Sequence, residues 1–106
     1  MRKYPPIVSK LCYCFDGWII GGAAKDLDKP PRDYDVIIPY YLWHQASIII
    51  PQDAKINSFG GWKFIDDGFN VDVWPDDITR MLKVAMVEAV YHPQSGTRFI
   101  RSKQNG

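Results

Sequence analysis

The sequence predicts a mixed α/β (α+β) domain, a small mixed β-sheet of about five short strands flanked by helices. Three observations carry that reading. Apolar residues recur at helical spacing in some segments, while short β-branched and aromatic runs interrupt them. The early part of the chain alternates strand with helix, and the middle meanders through three strands joined by tight turns. Finally, a length of 106 residues with 46% hydrophobic content supports one core and no second domain, so residues 1–106 are read as one unit.

The elements follow in order. Pro5-Pro6 opens a helix at its first turn, Ile7, Leu11 and Phe15 recur at i, i+4 and i+8, and Asp16-Gly17 ends it. Trp18-Ile19-Ile20 is a short buried strand stopped by Gly21-Gly22, and Ala23-Ala24-Lys25-Asp26-Leu27 begins a helix directly after the glycines. Lys29-Pro30-Pro31-Arg32 is a loop, because proline blocks both helix and ladder. Asp33 to Ile38 reads as a second strand, closed by Pro39, and residues 40–49 have helical length before Pro51. Lys55–Phe59, Trp62–Ile65 and Phe69–Trp74 are three strands turned by Gly60-Gly61 and Asp66-Asp67-Gly68. Asp76-Asp77 caps a last helix whose buried face is Ile78, Met81, Leu82, Ala85 and Ala89, ending before Pro93 with His92 at its C-terminal end. Residues from about 94 to 106 carry Arg98, Arg101 and Lys103 with no acidic residue, and read as a fraying basic tail.

Composition narrows the function classes. A formal charge of +1 argues against an arm that only wraps nucleic acid, and 14% aromatic content argues against disorder. No apolar run approaches the roughly 18 residues of a membrane span. The first residues lack a secretory apolar region, which together with two unpaired cysteines points to a soluble protein of the cytoplasm. Cys12 and Cys14, two apart on a helix, point away from each other and read as free thiols.

Two motifs carry chemistry. Gly21-Gly22 lies at a strand–helix junction, where glycine lets backbone N–H groups approach an anion and the helix start favours phosphate; Lys25, one turn later, adds a point charge. Asp33-Tyr34-Asp35 places two carboxylates on one face of a strand, about 6–7 Å apart at Cα, which is costly without a cation between them. Oxygen pairs of that kind suit Mg²⁺ and leave positions for phosphate oxygens. Asp72, between Val71 and Val73, shares a strand face with Asn70 and Trp74, and beside Asp33 and Asp35 it would complete a two-metal site for in-line phosphoryl transfer.

The combination resembles the nucleotidyltransferase superfamily of DNA polymerase β, poly(A) polymerases and CCA-adding enzymes. The pattern there is a hydrophobic residue, Gly-Gly or Gly-Ser, a spacer of about ten residues, Asp-x-Asp/Glu, and a later hydrophobic-Asp-hydrophobic strand. Here Ile20-Gly21-Gly22 is followed by residues 23–32, then Asp33-Tyr34-Asp35-Val36, and later Val71-Asp72-Val73. Gly21 to Leu27 looks most like the catalytic head of the bacterial poly(A) polymerase and CCA-adding branch, and the resemblance spans residues 16–75. It implies a minimal nucleotidyltransferase fold in which Gly21 and Gly22 hold the triphosphate of an NTP, Asp33 and Asp35 bind Mg²⁺ (two ions, with Mn²⁺ as an alternative), and Asp72 helps bind metal and activate the attacking hydroxyl. Lys25 stands where that branch has Arg, so a bidentate contact becomes a single charge.

The expected activity is transfer of a nucleoside monophosphate from an NTP to a hydroxyl acceptor with release of pyrophosphate. An RNA 3′ end is the acceptor by nearest resemblance; a protein hydroxyl, as in antitoxin-type members, or a small molecule is the alternative. The helical domain that selects the base in that branch has no counterpart after Asp72. That departure leaves room for a nucleotide-binding or interaction module without turnover, and for a partner subunit or second copy. Lys3, Lys10, Arg98, Arg101 and Lys103 are candidates for a basic rim toward nucleic acid, while Trp62 and Trp74 would be stacking platforms if they border the cleft.

Overall fold

The computed structural model describes residues 3–101. Helix α1 (Pro6–Cys14) leads into β1 (Trp18–Ile20), the short α2 (Gly22–Lys25), β2 (Asp33–Ile38) and α3 (Tyr40–Ala46), which continues as a 3₁₀ turn over Ser47–Ile49. Strands β3 (Lys55–Ile56), β4 (Trp62–Asp66) and β5 (Phe69–Pro75) follow, then α4 (Ile78–Leu82), β6 (Ala89–His92) and β7 (Thr97–Ile100). All seven strands form one sheet in the order β3-β4-β5-β2-β1-β6-β7. Among the described residues only β2 and β5 run parallel; the other neighbours are antiparallel.

Strand alternation divides the core in two. On one face Ile19, Tyr34, Val36, Ile38, Val71 and Val73 pack against α1, α2 and α3 through Val8, Leu11, Cys12, Ala23, Ala24 and Ala46. On the other face Ile20, Ile37, Trp74 and Val90 lie under Met81 and Val87, with Trp18, Ile78, Leu82 and Val84 packed at the edge. This second cover reaches only part of its face. The remainder carries Asp33, Asp35, Asn70, Asp72 and Lys63, as the registers Asp33↔Asn70, Asp35↔Asp72 and Lys63↔Asp72 require.

Long-range polar contacts fix the helices. Pro5 and Pro6 begin α1 and give it no side-chain cap of its own. Asp66, buried and 58 residues away from Val8, accepts from the backbone N–H of Ile7 (2.8 Å) and Val8 (3.0 Å) and so caps the helix from β4. The expected turn role of Asp66 is therefore incomplete: it also anchors a helix. Asp77 caps α4 as the sequence suggests, accepting from Thr79 N at 2.7 Å. Its neighbour Asp76 is buried against Arg80; burial works to raise its pKa, but the guanidinium and the Asp77 N–H hold it below the usual carboxylate range.

The region after Asp77 departs from the sequence reading. The last helix stops at Leu82, Ala85 is exposed, and Ala89 begins a strand, so the sheet has seven strands rather than about five. The reason is the unpaired edge of β1. Ile19↔Tyr91 and Ile20↔Val90 supply the ladder that a buried strand needs on its second side, and this pairing overrides the helical spacing. His92 consequently ends a strand rather than a helix, buried between Asp16 (2.5 Å from Nε2) and Ser95 Oγ (2.6 Å from Nδ1). The expected fraying tail is also ordered through Thr97–Ile100; residues 102–106, including Lys103, lie outside the described residues.

Cys12 is buried, its thiol pushed up to about 12 by burial, while Cys14 is exposed. Among the described residues no helix is long and apolar enough to cross a membrane.

Candidate functional site

Asp35 and Asp72 are direct neighbours in the parallel ladder of β2 and β5, on the face that α4 leaves uncovered. Both are half-buried, and Asp33 stands two residues toward the exposed start of β2. The proximity is visible in the protonation of Asp35, whose pKa is pushed up to about 6, first by burial and then by the negative charges of Asp72 and Asp33. Lys63, paired with Asp72 in register from β4, acts in the opposite direction. The three carboxylates named from sequence therefore do share one patch, and a lysine that sequence reasoning did not single out faces them.

Gly21 brings the strand–helix junction to the same patch. Ile20 is the register partner of Asp35, and Gly21 follows with φ +78 and ψ −144, in a backbone region that disfavours side chains. A Cβ placed on Gly21 would sit 3.7 Å from Asp35 Oδ2, while one on Gly22 would meet nothing within 4 Å. The Gly21 N–H donates to Ala89 O at 3.0 Å, and its carbonyl accepts from Ala24 and Lys25, which ties the turn to β6 and α2. Lys25 points elsewhere in this structure: its Nζ lies 3.1 Å from Glu88 Oε2 in an exposed ion pair. Arg98 of β7 donates to the carbonyls of Ala24 (3.2 Å) and Lys25 (2.6 Å), and Arg101 to those of Leu82, Val84 and Val87. These two arginines, grouped with a basic rim in the sequence, thus spend donors on the last carbonyls of α2 and on Leu82 of α4 and the loop after it.

The turn between β3 and β4 closes the other side. Asn57 Nδ2 donates to Asp72 Oδ1 at 3.2 Å and to Trp62 O at 3.0 Å, and its Oδ1 accepts from the N–H of Phe59 and Gly61. One amide thereby holds the turn and one oxygen of Asp72. Gly61 lies against β5 so closely that a Cβ would come within 1.9 Å of Val73 O. Phe59 stacks on Trp74 with ring centroids 4.6 Å apart and remains 56% exposed. Trp74 thus borders the carboxylates, whereas Trp62, the register partner of Val73, faces the main core. Sequence reasoning missed Asn57 and Phe59; an Asn just before a Gly-Gly turn was the available signal.

Among the described residues no three His, Cys, Asp or Glu side chains are arranged as a finished metal cage. Asp35 and Asp72 instead offer the smaller donor set that Mg²⁺ commonly takes, one or two carboxylates with the remaining positions left for water and phosphate oxygens. Burial, and after it the negative charges of Asp72 and Asp33, disfavour ionised Asp35, a cost that a cation beside the carboxylates would offset.

No family model matches the chain, and neither a curated protein nor a solved structure gives a match.

Proposed function

We propose that this protein is a nucleotidyltransferase that moves a nucleoside monophosphate from an NTP to a hydroxyl acceptor. The single observation that supports it best is the side-by-side register of Asp35 and Asp72, with Gly21 at positive φ next to Asp35. In this reading Asp35 and Asp72 hold Mg²⁺, and Asp33 contributes from the exposed end of β2. The metal, when bound, offsets the carboxylate charge and polarises the phosphate oxygens.

The chain's own residues do the rest. Gly22 leaves open space for the triphosphate to approach, Gly21 shapes the turn with its N–H held by Ala89 O, and Lys25 turns from the exposed Glu88 toward phosphate at little cost. Asn57 fixes Asp72 through Oδ1, which leaves Oδ2 to take the proton of the acceptor hydroxyl. The acceptor oxygen then forms its bond to the α-phosphorus as the bond to pyrophosphate breaks. An RNA 3′ end is the first acceptor to try, followed by protein and small-molecule hydroxyls, and the cytoplasm is the compartment in which such substrates are met.

The Lys25–Glu88 pair favours a second reading, a module that binds nucleotide without turnover. Parallel reactions with α- and γ-labelled NTPs separate the two. Transfer of the α label to an acceptor, with the γ label released as pyrophosphate, is the expected result; no transfer to RNA, protein or small-molecule hydroxyls in Mg²⁺ or Mn²⁺ removes the enzyme reading.

A further inference from the structure

A concavity lies on the same sheet face as the carboxylates but at its opposite end, beyond Ile37 and where β2 runs into Pro39. It encloses about 520 Å³, within the range typical of small-molecule sites. Its apolar lining comes from Trp18 of β1, buried Ile37 of β2, Pro39, and Ile78 at the start of α4. The exposed rings of Tyr40 and Tyr41 stand at its edge from the first turn of α3. The polar lining is of one sign: Asp16, Asp76 and Asp77, with no lysine or arginine among the lining residues.

The walls are held in place by contacts that span the fold. Trp18 packs its ring on His92 at a centroid distance of 4.6 Å, and His92 bonds Asp16 through Nε2. The Tyr41 hydroxyl donates to the other Asp16 oxygen at 3.3 Å. Asp76 is paired with Arg80, and Asp77 spends Oδ1 on the Thr79 N–H. With Asp76 held by Arg80, the carboxylates left to face a ligand are Asp77 and Asp16, the latter shared with His92 and the Tyr41 hydroxyl. An acidic lining without lysine or arginine disfavours an anionic guest such as a nucleotide.

We propose that the cavity binds a compact organic cation, an ammonium group on an aromatic or short aliphatic body. The body packs against Trp18, Ile37 and Ile78, and the ammonium lies between the Asp16 and Asp77 carboxylates and the faces of Tyr40 and Tyr41. Aromatic faces attract a cation most strongly where water is partly excluded, and the carboxylates fix the sign of the guest. The inference is independent of the nucleotidyltransferase reading, because it uses none of the residues of that site.

Three probes with the same ring and different charge test it: benzylamine (protonated at neutral pH), benzyl alcohol and benzoate, titrated calorimetrically into the full chain. Benzylammonium is expected to bind about tenfold more tightly than benzyl alcohol, with no binding of benzoate. Asp77→Asn keeps a helix-capping side chain, and Tyr41→Leu alters an exposed position; each is expected to weaken benzylammonium several-fold with an unchanged thermal melt. Equal binding of the amine and the alcohol, no binding of the amine, or full amine affinity in the Asp77→Asn protein overturns the proposal.

Discussion

Asp35 and Asp72 face each other across the parallel strand pair β2–β5, and the charge of Asp72 adds to burial in making Asp35 harder to ionise. In an antiparallel hairpin, two acidic residues so placed would be a local defect. Here they are brought together by strands separated in sequence, under a face that α4 covers only in part. Lys63 and Asn57 both reach this pair from β4 and the turn before it.

The raised pKa of Asp35 sets the sign of one pH effect. Its carboxyl goes from an ordinary value of 3.8 to about 6 on folding, so between those values the native state holds the proton more firmly than the unfolded chain. Stability from this group is present at low pH and falls as pH rises through the window; above it, ionised Asp35 is a burden. Asp35→Asn is therefore expected to stabilise the metal-free protein by about 1 kcal/mol at pH 8, after discounting for solvent screening, with little effect at pH 4. Urea unfolding at the two pH values checks this. At pH 8, Mg²⁺ should raise the melting temperature of the wild type and not that of the variant.

Asn57→Ala removes the amide that joins Asp72 to the N–H groups of Phe59 and Gly61. A loss of about 1–2 kcal/mol is expected, with the Phe59–Trp74 stack loosened. Denaturant unfolding and near-ultraviolet circular dichroism measure the two effects. An Asn57→Asp variant keeps the acceptor but sets a charge against Asp72, and is expected to be worse than alanine.

The two glycines of the junction should behave differently. Gly21→Ala forces a side chain into φ +78 and is expected to cost about 1–2 kcal/mol. Gly22→Ala places its methyl in open space at the first position of α2 and should change stability by less than about 0.5 kcal/mol. Thermal melts of the two single variants test the contrast, and equal losses would argue against the junction geometry.

Asp66→Ala strips α1 of its distant cap, leaving the N–H groups of Ile7 and Val8 to find water beside a packed core. The expected cost is about 2 kcal/mol, and amide exchange should speed up first in the opening turn of α1.

Much of this arrangement was legible in the sequence. Trp18-Ile19-Ile20 before Gly21-Gly22, and Asp33 and Asp35 ahead of Val36-Ile37-Ile38, marked strands and their ends by local pattern alone. The placing of Asp72 with Asn70 and Trp74 follows from strand alternation. The β6–β7 hairpin was hidden because Ala85 and Ala89 mimic a helix period, and what decides their region is the unpaired side of β1, some 70 residues earlier. The Ser95-Gly96 turn between Val90-Tyr91-His92 and Thr97–Ile100, with Gly96 at φ +78, was the local clue. The remote partners of Asp66 and Lys25, and the bond from Asn57 to Asp72, were beyond reach, since such contacts depend on register between elements rather than on any neighbouring residue.

The most direct test of the central claim is pyrophosphate release from each of the four NTPs in Mg²⁺, with RNA and protein acceptors supplied, by wild type and by Asp35→Asn protein shown to be folded by circular dichroism. The expected result is Mg²⁺-dependent release by the wild type and a loss of at least about a thousandfold in the variant, the scale on which removing a group that stabilises transition-state charge acts. Release of equal rate by the two proteins, or none from the wild type with any NTP and acceptor, would contradict it.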